Sequence, residues 1–123
     1  LLKSYPDLKV IVSPSSVGIV AAAQAVKDQG KIGKVYVTGL GLPSEMAGAI
    51  KSGASKSFAI WNPIDLGYAA TYLADDLVKG TATKTEASMG KLGKVKLDAE
   101  GNGAMAKPFV YDANNIDKFS KIF

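Results

Sequence analysis

The residues best suited to chemistry sit close together in "SFAIWNPIDLGY", residues 57–68. Trp61, the only tryptophan, is followed by Asn62 and then Asp65. A neutral sugar presents a ring face of C–H groups and a rim of hydroxyls. An indole face suits the first. A carboxylate accepting from two hydroxyls and an amide that both donates and accepts suit the second. Taken singly, Asp65 reads as an early-helix carboxylate favoured by the macrodipole and Trp61 as core. The three together, at the end of an apolar run, read as a binding cluster. Catalysis on sugars asks for two carboxylates at a set separation. Asp75 and Asp76 lie further along the same segment, and Glu45 is explained by a helix start, so no catalytic pair emerges.

Composition narrows the chemistry further. The chain has no histidine and no cysteine. That removes Ser-His-Asp triads, cysteine nucleophiles and thiolate–imidazole zinc sites. No metal or other cofactor is expected, and no enzymatic activity. The net charge is +4, and every basic residue is a lysine. Arginine is the usual grip on phosphates and base edges, so its absence argues against a nucleic-acid partner. The lysines are scattered and read as solvated surface. No apolar run is long enough to span a bilayer.

The elements that must position the cluster follow from patterning. "LKVIVS" (8–13) is a short β-branched run, as expected of a strand covered on both faces. In "VGIVAAAQAVKDQG", Ile19, Ala22, Ala23 and Val26 share one helical face, with Ser15 or Ser16 as cap and Gly30 as stop. "KVYVTG" (34–39) is a second strand. "GLPSEMAGAIKSG" places Pro43 at a helix start and Gly53 at its stop. "SFAIW" (57–61) is a third strand. The segment 63–80 is the clearest helix, with Leu66, Ala69, Ala70, Leu73 and Leu77 inward and Asp75, Asp76 and Lys79 toward water. Beyond it lie two short β candidates around 94–97 and 104–111, separated by a turn in "AEGNG", and a short terminal helix in "NIDKFSKIF".

Strand–helix–strand–helix–strand with short loops predicts an α/β fold. Its parallel Rossmann-like sheet is flanked by helices in three αβα layers, with a small β segment added. Ligands of such sheets bind beyond the carboxyl ends of the strands. Those ends carry "SPSS", "TGLGLPS" and "WNPID". Pro14, Ser15 and Ser16 offer a hydroxyl and backbone amides, with helix capping as the competing explanation for at least one serine. "GLGLPS" lacks the third glycine of a dinucleotide fingerprint. Gly41 and Leu42 remain as backbone donors to a ligand.

Three segments, "KVIVSPSSVGIVAAAQAV", "VYVTGLGLPSEMAGAIKSGASKSFAIWNPIDLGYAATYLADDLVKG" and "AEGNGAMAKPFVYDANNIDKF", resemble the carboxyl-terminal part of periplasmic sugar-binding proteins. These are the solute receptors of ABC importers, and the similarity runs toward the rhamnose- and autoinducer-2-binding branch. The resemblance implies a fragment of a two-lobe fold that closes over a sugar without catalysis. Residues 1–61 and 108–123 would belong to the distal, carboxyl-terminal lobe, and 62–107 to the hinge and the other lobe. It implies ligand contacts from Pro14, Ser15, Ser16, Gly41, Trp61, Asn62 and Asp65. An aspartate common in ribose-type relatives is replaced by Gly41, and "WNPID" favours a hexose or deoxyhexose such as rhamnose.

The implied partners are a monosaccharide and the permease subunits of the inner membrane. The implied location is the periplasm, or an extracytoplasmic, membrane-anchored state in a Gram-positive cell. A complete receptor is more than twice this length, and more chain, with any export signal, is expected ahead of Leu1. The chain by itself is expected to self-associate, domain swapping about the hinge being one route. Two other readings stay open: the sugar-sensing domain of a transcription regulator, which shares the core fold, and an autoinducer-2 receptor.

Overall fold

The computed structural model describes residues 1–122, so Phe123, the end of the predicted terminal helical segment, lies outside them. The chain divides into two compact units, Leu1–Ile60 with the segment from Phe109 onward, and Trp61–Pro108.

In the first unit the strands are β1 (Val10–Ser13), β2 (Tyr36–Gly39), β3 (Ser57–Ile60) and β6 (Phe109–Asp112), and the helices are α1 (Ser16–Asp28), α2 (Pro43–Ser52) and α4 (Ile116–Phe119). β1 and β2 run parallel, with Val10 opposite Tyr36 and Ser13 opposite Gly39. β3 joins β2 through a parallel bridge between Leu40 and Ala59. The Thr38 hydroxyl reinforces it, donating to the Ser57 carbonyl at 2.8 Å. β6 returns antiparallel to β3, Ser57 opposite Asp112 and Ile60 opposite Phe109.

The helices form where capping chemistry allows. α1 starts at Ser15, whose hydroxyl accepts from the Gly18 amide. α2 starts with Pro43 in its first turn and stops at Gly53, φ 80°. Proline's fixed φ suits a helix start, and glycine adopts the left-handed stop without strain. The apolar stripe of α1 (Ile19, Ala23, Val26) and that of α2 (Met46, Ile50) close over Val37, Phe58, Tyr111 and Ile116 to make one core. Phe58 and Tyr111 stack across the β3–β6 pair, ring centroids 5.3 Å apart.

Expected burial of β1 on both faces is corrected here. Its register sets Val10 and Val12 on the face opposite Val37, and that face is open: Val12 is 70 % exposed, and Val10 and Val110 are also exposed. A uniform β-branched run reads the same whether one face or two are covered, since it lacks the polar alternation that would tell them apart.

The second unit holds α3 (Pro63–Lys79) over a two-stranded antiparallel ribbon, β4 (Glu86–Ser88) and β5 (Lys94–Lys96), joined by a 3₁₀ turn at Gly90–Leu92. Its core is Ala69, Ala87, Met89 and Val95, with Leu73 against them. The predicted inner stripe of α3 is therefore corrected: Leu66, Ala70 and Leu77 are exposed. A ribbon of two three-residue strands covers only the middle of a 17-residue helix. Asp76 does not face water freely either. Its carboxylate accepts from the Ser88 amide at 2.7 Å and the Thr81 hydroxyl at 2.8 Å, tying α3 to β4. The "AEGNG" turn is present, with the Asp98 amide donating to the Asn102 carbonyl at 2.9 Å. The strands around it find other partners: β5 pairs with β4, and β6 with β3.

Candidate functional site

At the carboxyl ends of β1 and β2 the backbone is tightly fixed. The Leu40 amide donates to the Ser13 carbonyl at 2.9 Å. Ser13 is buried, and its hydroxyl donates to the Ser15 carbonyl at 3.1 Å and accepts from the Ser15 amide at 3.4 Å. This one side chain holds the turn that presents Pro14, Ser15 and Ser16. Gly18 leaves it room, since a Cβ there would lie 2.6 Å from the Ser13 Oγ. Pro14 and Ser15 are exposed and Ser16 is half-buried. The Ser15 hydroxyl reaches the Gly18 amide at a long 3.4 Å, so the cap is weak and that hydroxyl is easily redirected.

Gly41 is placed differently from the expectation of a backbone donor. It is buried, and its amide points to the Ala59 carbonyl at 3.4 Å. A Cβ at 41 would come within 2.9 Å of Met46 and 3.1 Å of Ile19. The glycine makes room for the core, so this position carries packing rather than a presented N–H.

The second group opens the second unit. Trp61 is 37 % exposed. Asn62 is the N-cap of α3, its Oδ1 accepting from the Ile64 amide at 2.9 Å. The amide oxygen is thereby engaged and the NH₂ group remains as a donor. Asp65 lies in the first helical turn, half-buried. The structure thus sets Pro14, Ser15, Ser16 and Gly41 at strand ends of the first unit, and Trp61, Asn62 and Asp65 within five residues at the start of the second.

The loops carry no charge of their own. Residues 10–26, 35–44 and 57–64 contain no ionisable acid or lysine, and the first carboxylate beyond the third strand is Asp65. Among the described residues, no group of acids could hold a metal ion, and no helix is long and apolar enough to cross a membrane.

Sequence reasoning missed two residues. Ser13 passed as the last residue of a strand, although a polar side chain ending an apolar run was the available signal. Gly39 has φ 132°, and a Cβ there would collide with the Ser13 backbone. Elsewhere, Tyr68 accepts from the Lys91 amide at 3.2 Å while the Lys91 ammonium sits 4.9 Å from its ring. That amide, with the Tyr72 hydroxyl, lowers the Tyr68 pKa. The cluster fastens the 3₁₀ turn to α3.

Residues 1–82 match the family model described as periplasmic binding protein domain. The chain belongs to that family. Periplasmic binding proteins of sugar ABC transporters are binders, without catalysis. Solved structures agree. A sugar ABC transporter protein from Actinomyces odontolyticus ATCC 17982 is 39 % identical, with a TM-score of 0.77, over 96 % of this chain and 39 % of that one. An ABC transporter solute binding protein from Clostridium phytofermentas, solved with bound L-rhamnose, is 37 % identical, with a TM-score of 0.83, over 99 % of this chain and 43 % of that one. LsrB from Clostridium saccharobutylicum in complex with AI-2 has a TM-score of 0.78 at 18 % identity, over 96 % of this chain and 41 % of that one, which is a likeness of fold alone. The periplasmic binding protein chain described here spans about two fifths of the length of these relatives.

Proposed function

We propose that this chain is the carboxyl-terminal part of the solute receptor of an ABC sugar importer, and that it contributes to holding a neutral monosaccharide, a deoxyhexose such as rhamnose in particular. The observation that carries the reading is the uncharged character of the strand-end loops, with Asp65 following Trp61 and Asn62 in the first turn of α3 and Glu45 in the first turn of α2. A charged ligand would need a counter-charge there. A sugar needs hydroxyl partners and an apolar ring contact.

The 37 % identity to a protein solved with L-rhamnose supports the choice of sugar. In this reading Pro14, Ser15 and Ser16 supply contacts from the first unit, and Trp61, Asn62 and Asp65 supply them from the second. Gly41 acts through packing. The first unit belongs to the distal lobe and the second to the other lobe. The receptor works outside the cytoplasmic membrane and delivers its sugar to the permease subunits.

Calorimetric titration of the complete encoded polypeptide with L-rhamnose, D-ribose, D-glucose and autoinducer-2 tests this. Saturable binding of L-rhamnose, stronger than that of the others, is expected. Binding of autoinducer-2 alone, or of no sugar, overturns it.

A further inference from the structure

We infer that Ser13 is a positioning residue for sugar binding: its buried hydroxyl fixes the backbone of Ser15, so that the turn 14–16 has its binding shape before sugar arrives. The inference rests on the proposed sugar reading and adds to it a residue that lies beneath the contacts.

Ser13 closes β1, and the turn follows at once. A buried hydroxyl needs partners, and Ser13 finds both in one residue. It donates to the Ser15 carbonyl at 3.1 Å and accepts, more weakly, from the Ser15 amide at 3.4 Å. The two bonds hold the peptide groups on either side of Ser15. The same carbonyl accepts from the Ile19 amide at 2.9 Å, which ties the turn to α1. Ser13 is itself held, because its carbonyl accepts from the Leu40 amide and has the Gly39 α-carbon packed against it.

Helix capping does not account for Ser13. The cap of α1 is Ser15, and the Ser13 hydroxyl bonds to no amide of the helix. Gly18 points the same way. It lies inside α1 without a positive φ, where alanine would be the better helix former. What requires glycine is room. A Cβ there would lie 2.6 Å from the Ser13 Oγ, while its next neighbour, the Ser15 Cβ, would be at an ordinary 3.7 Å. The helix thus gives up a methyl group to the Ser13 hydroxyl alone. Above it the Ser15 side chain is exposed and loosely held, so a fixed backbone presents an adjustable hydroxyl. A loop that must be ordered on binding costs affinity, and one ordered beforehand avoids that cost.

Calorimetry with L-rhamnose on the complete encoded polypeptide reads affinity, and thermal unfolding reads stability. Gly18→Ala pushes the Ser13 hydroxyl aside while adding a better helix former. It should weaken binding roughly three- to tenfold, with an unfolding midpoint equal to wild type or higher. Ser13→Ala should weaken binding by a similar factor. The double variant should bind no more weakly than Ser13→Ala, since no hydroxyl is left to displace. Without sugar, backbone amide relaxation by NMR should show Ser15 and Ser16 as rigid as α1 in wild type and mobile in both single variants. Wild-type affinity in the single variants, losses that multiply in the double variant, or a turn that stays rigid without the hydroxyl overturns the inference and leaves the sugar reading standing. Failure of the wild-type protein to bind L-rhamnose overturns that reading and the inference together.

Discussion

Gly39 turns its α-carbon directly against the carbonyl of Ser13, and no β-carbon fits between them. With φ at 132°, in a region that side-chain-bearing residues rarely enter, it must be glycine on two counts. The contact joins the ends of β1 and β2, and it sits beneath the turn that presents Pro14, Ser15 and Ser16. Gly39→Ala is expected to destabilise the first unit by on the order of 2–4 kcal/mol, from backbone strain and overpacking together. Urea unfolding followed by circular dichroism measures it, and a midpoint equal to wild type would refute the assigned role.

Asp65 is the carboxylate in the first turn of α3, four residues after Trp61. Removing a partner from a desolvated charge-assisted hydrogen bond costs about 2–5 kcal/mol, and about 1.4 kcal/mol is tenfold in affinity. In the complete encoded polypeptide, Asp65→Ala should therefore weaken L-rhamnose binding at least tenfold. Asp75→Ala should leave it alone, because Asp75 pairs at the surface with Lys79, 2.8 Å away. Calorimetry on both variants checks the contrast; equal affinities for the two would remove Asp65 from the site.

Trp61 is a built-in reporter, being the only tryptophan and partly exposed. Sugar packed on the indole face should shift its emission to the blue and slow quenching by acrylamide. Unchanged emission at saturating sugar would place the indole outside the contact.

Asp76 gives the second unit a pH dependence. The Ser88 amide, then the Thr81 hydroxyl, hold its pKa below the ordinary 3.8. A depressed carboxylate contributes stability that is present above its unfolded pKa and lost as pH falls through the folded one. The second unit should therefore loosen below about pH 4. Asp76→Asn should lower the midpoint at neutral pH, where the carboxylate contributes, and change it little at the acid end, so that the acid limb flattens. Acid titration of thermal midpoints for the two proteins reads this directly, and parallel curves would contradict it. Asp98, in the same unit, is lowered as well by the Asn102 amide and supplies the limb that remains; Asp117, lowered by the Lys51 ammonium, acts in the first unit.

The local grammar of the chain was largely legible. The strand cores, the serine cap of α1, Pro43 at the head of α2 and Gly53 and Gly80 at helix stops follow from backbone preferences that act within a few residues. What depends on distant residues was not legible. Nothing in "FVYD" says that it pairs with a strand some fifty residues earlier. Nothing in the pattern of Leu66, Ala70 and Leu77 says that only the neighbouring Ala69 and Leu73 will be covered. Gly41 shows the same limit at the site, since a glycine that admits a ligand and a glycine that admits Met46 are identical in sequence.

The register that sets Ile60 opposite Phe109 means that the chain leaves the first unit and re-enters it through two adjacent, paired strands. The forty-eight residues from Trp61 to Pro108 are therefore topologically an insertion into the tip of a hairpin. Excision should be possible without leaving a gap: an Asn-Gly turn joining Ile60 to Phe109 matches the twist of an antiparallel pair. The shortened chain would keep the whole β3–β6 ladder and both stacked rings, Phe58 and Tyr111, and the removed piece could be exchanged for an unrelated module whose own ends lie a strand spacing apart.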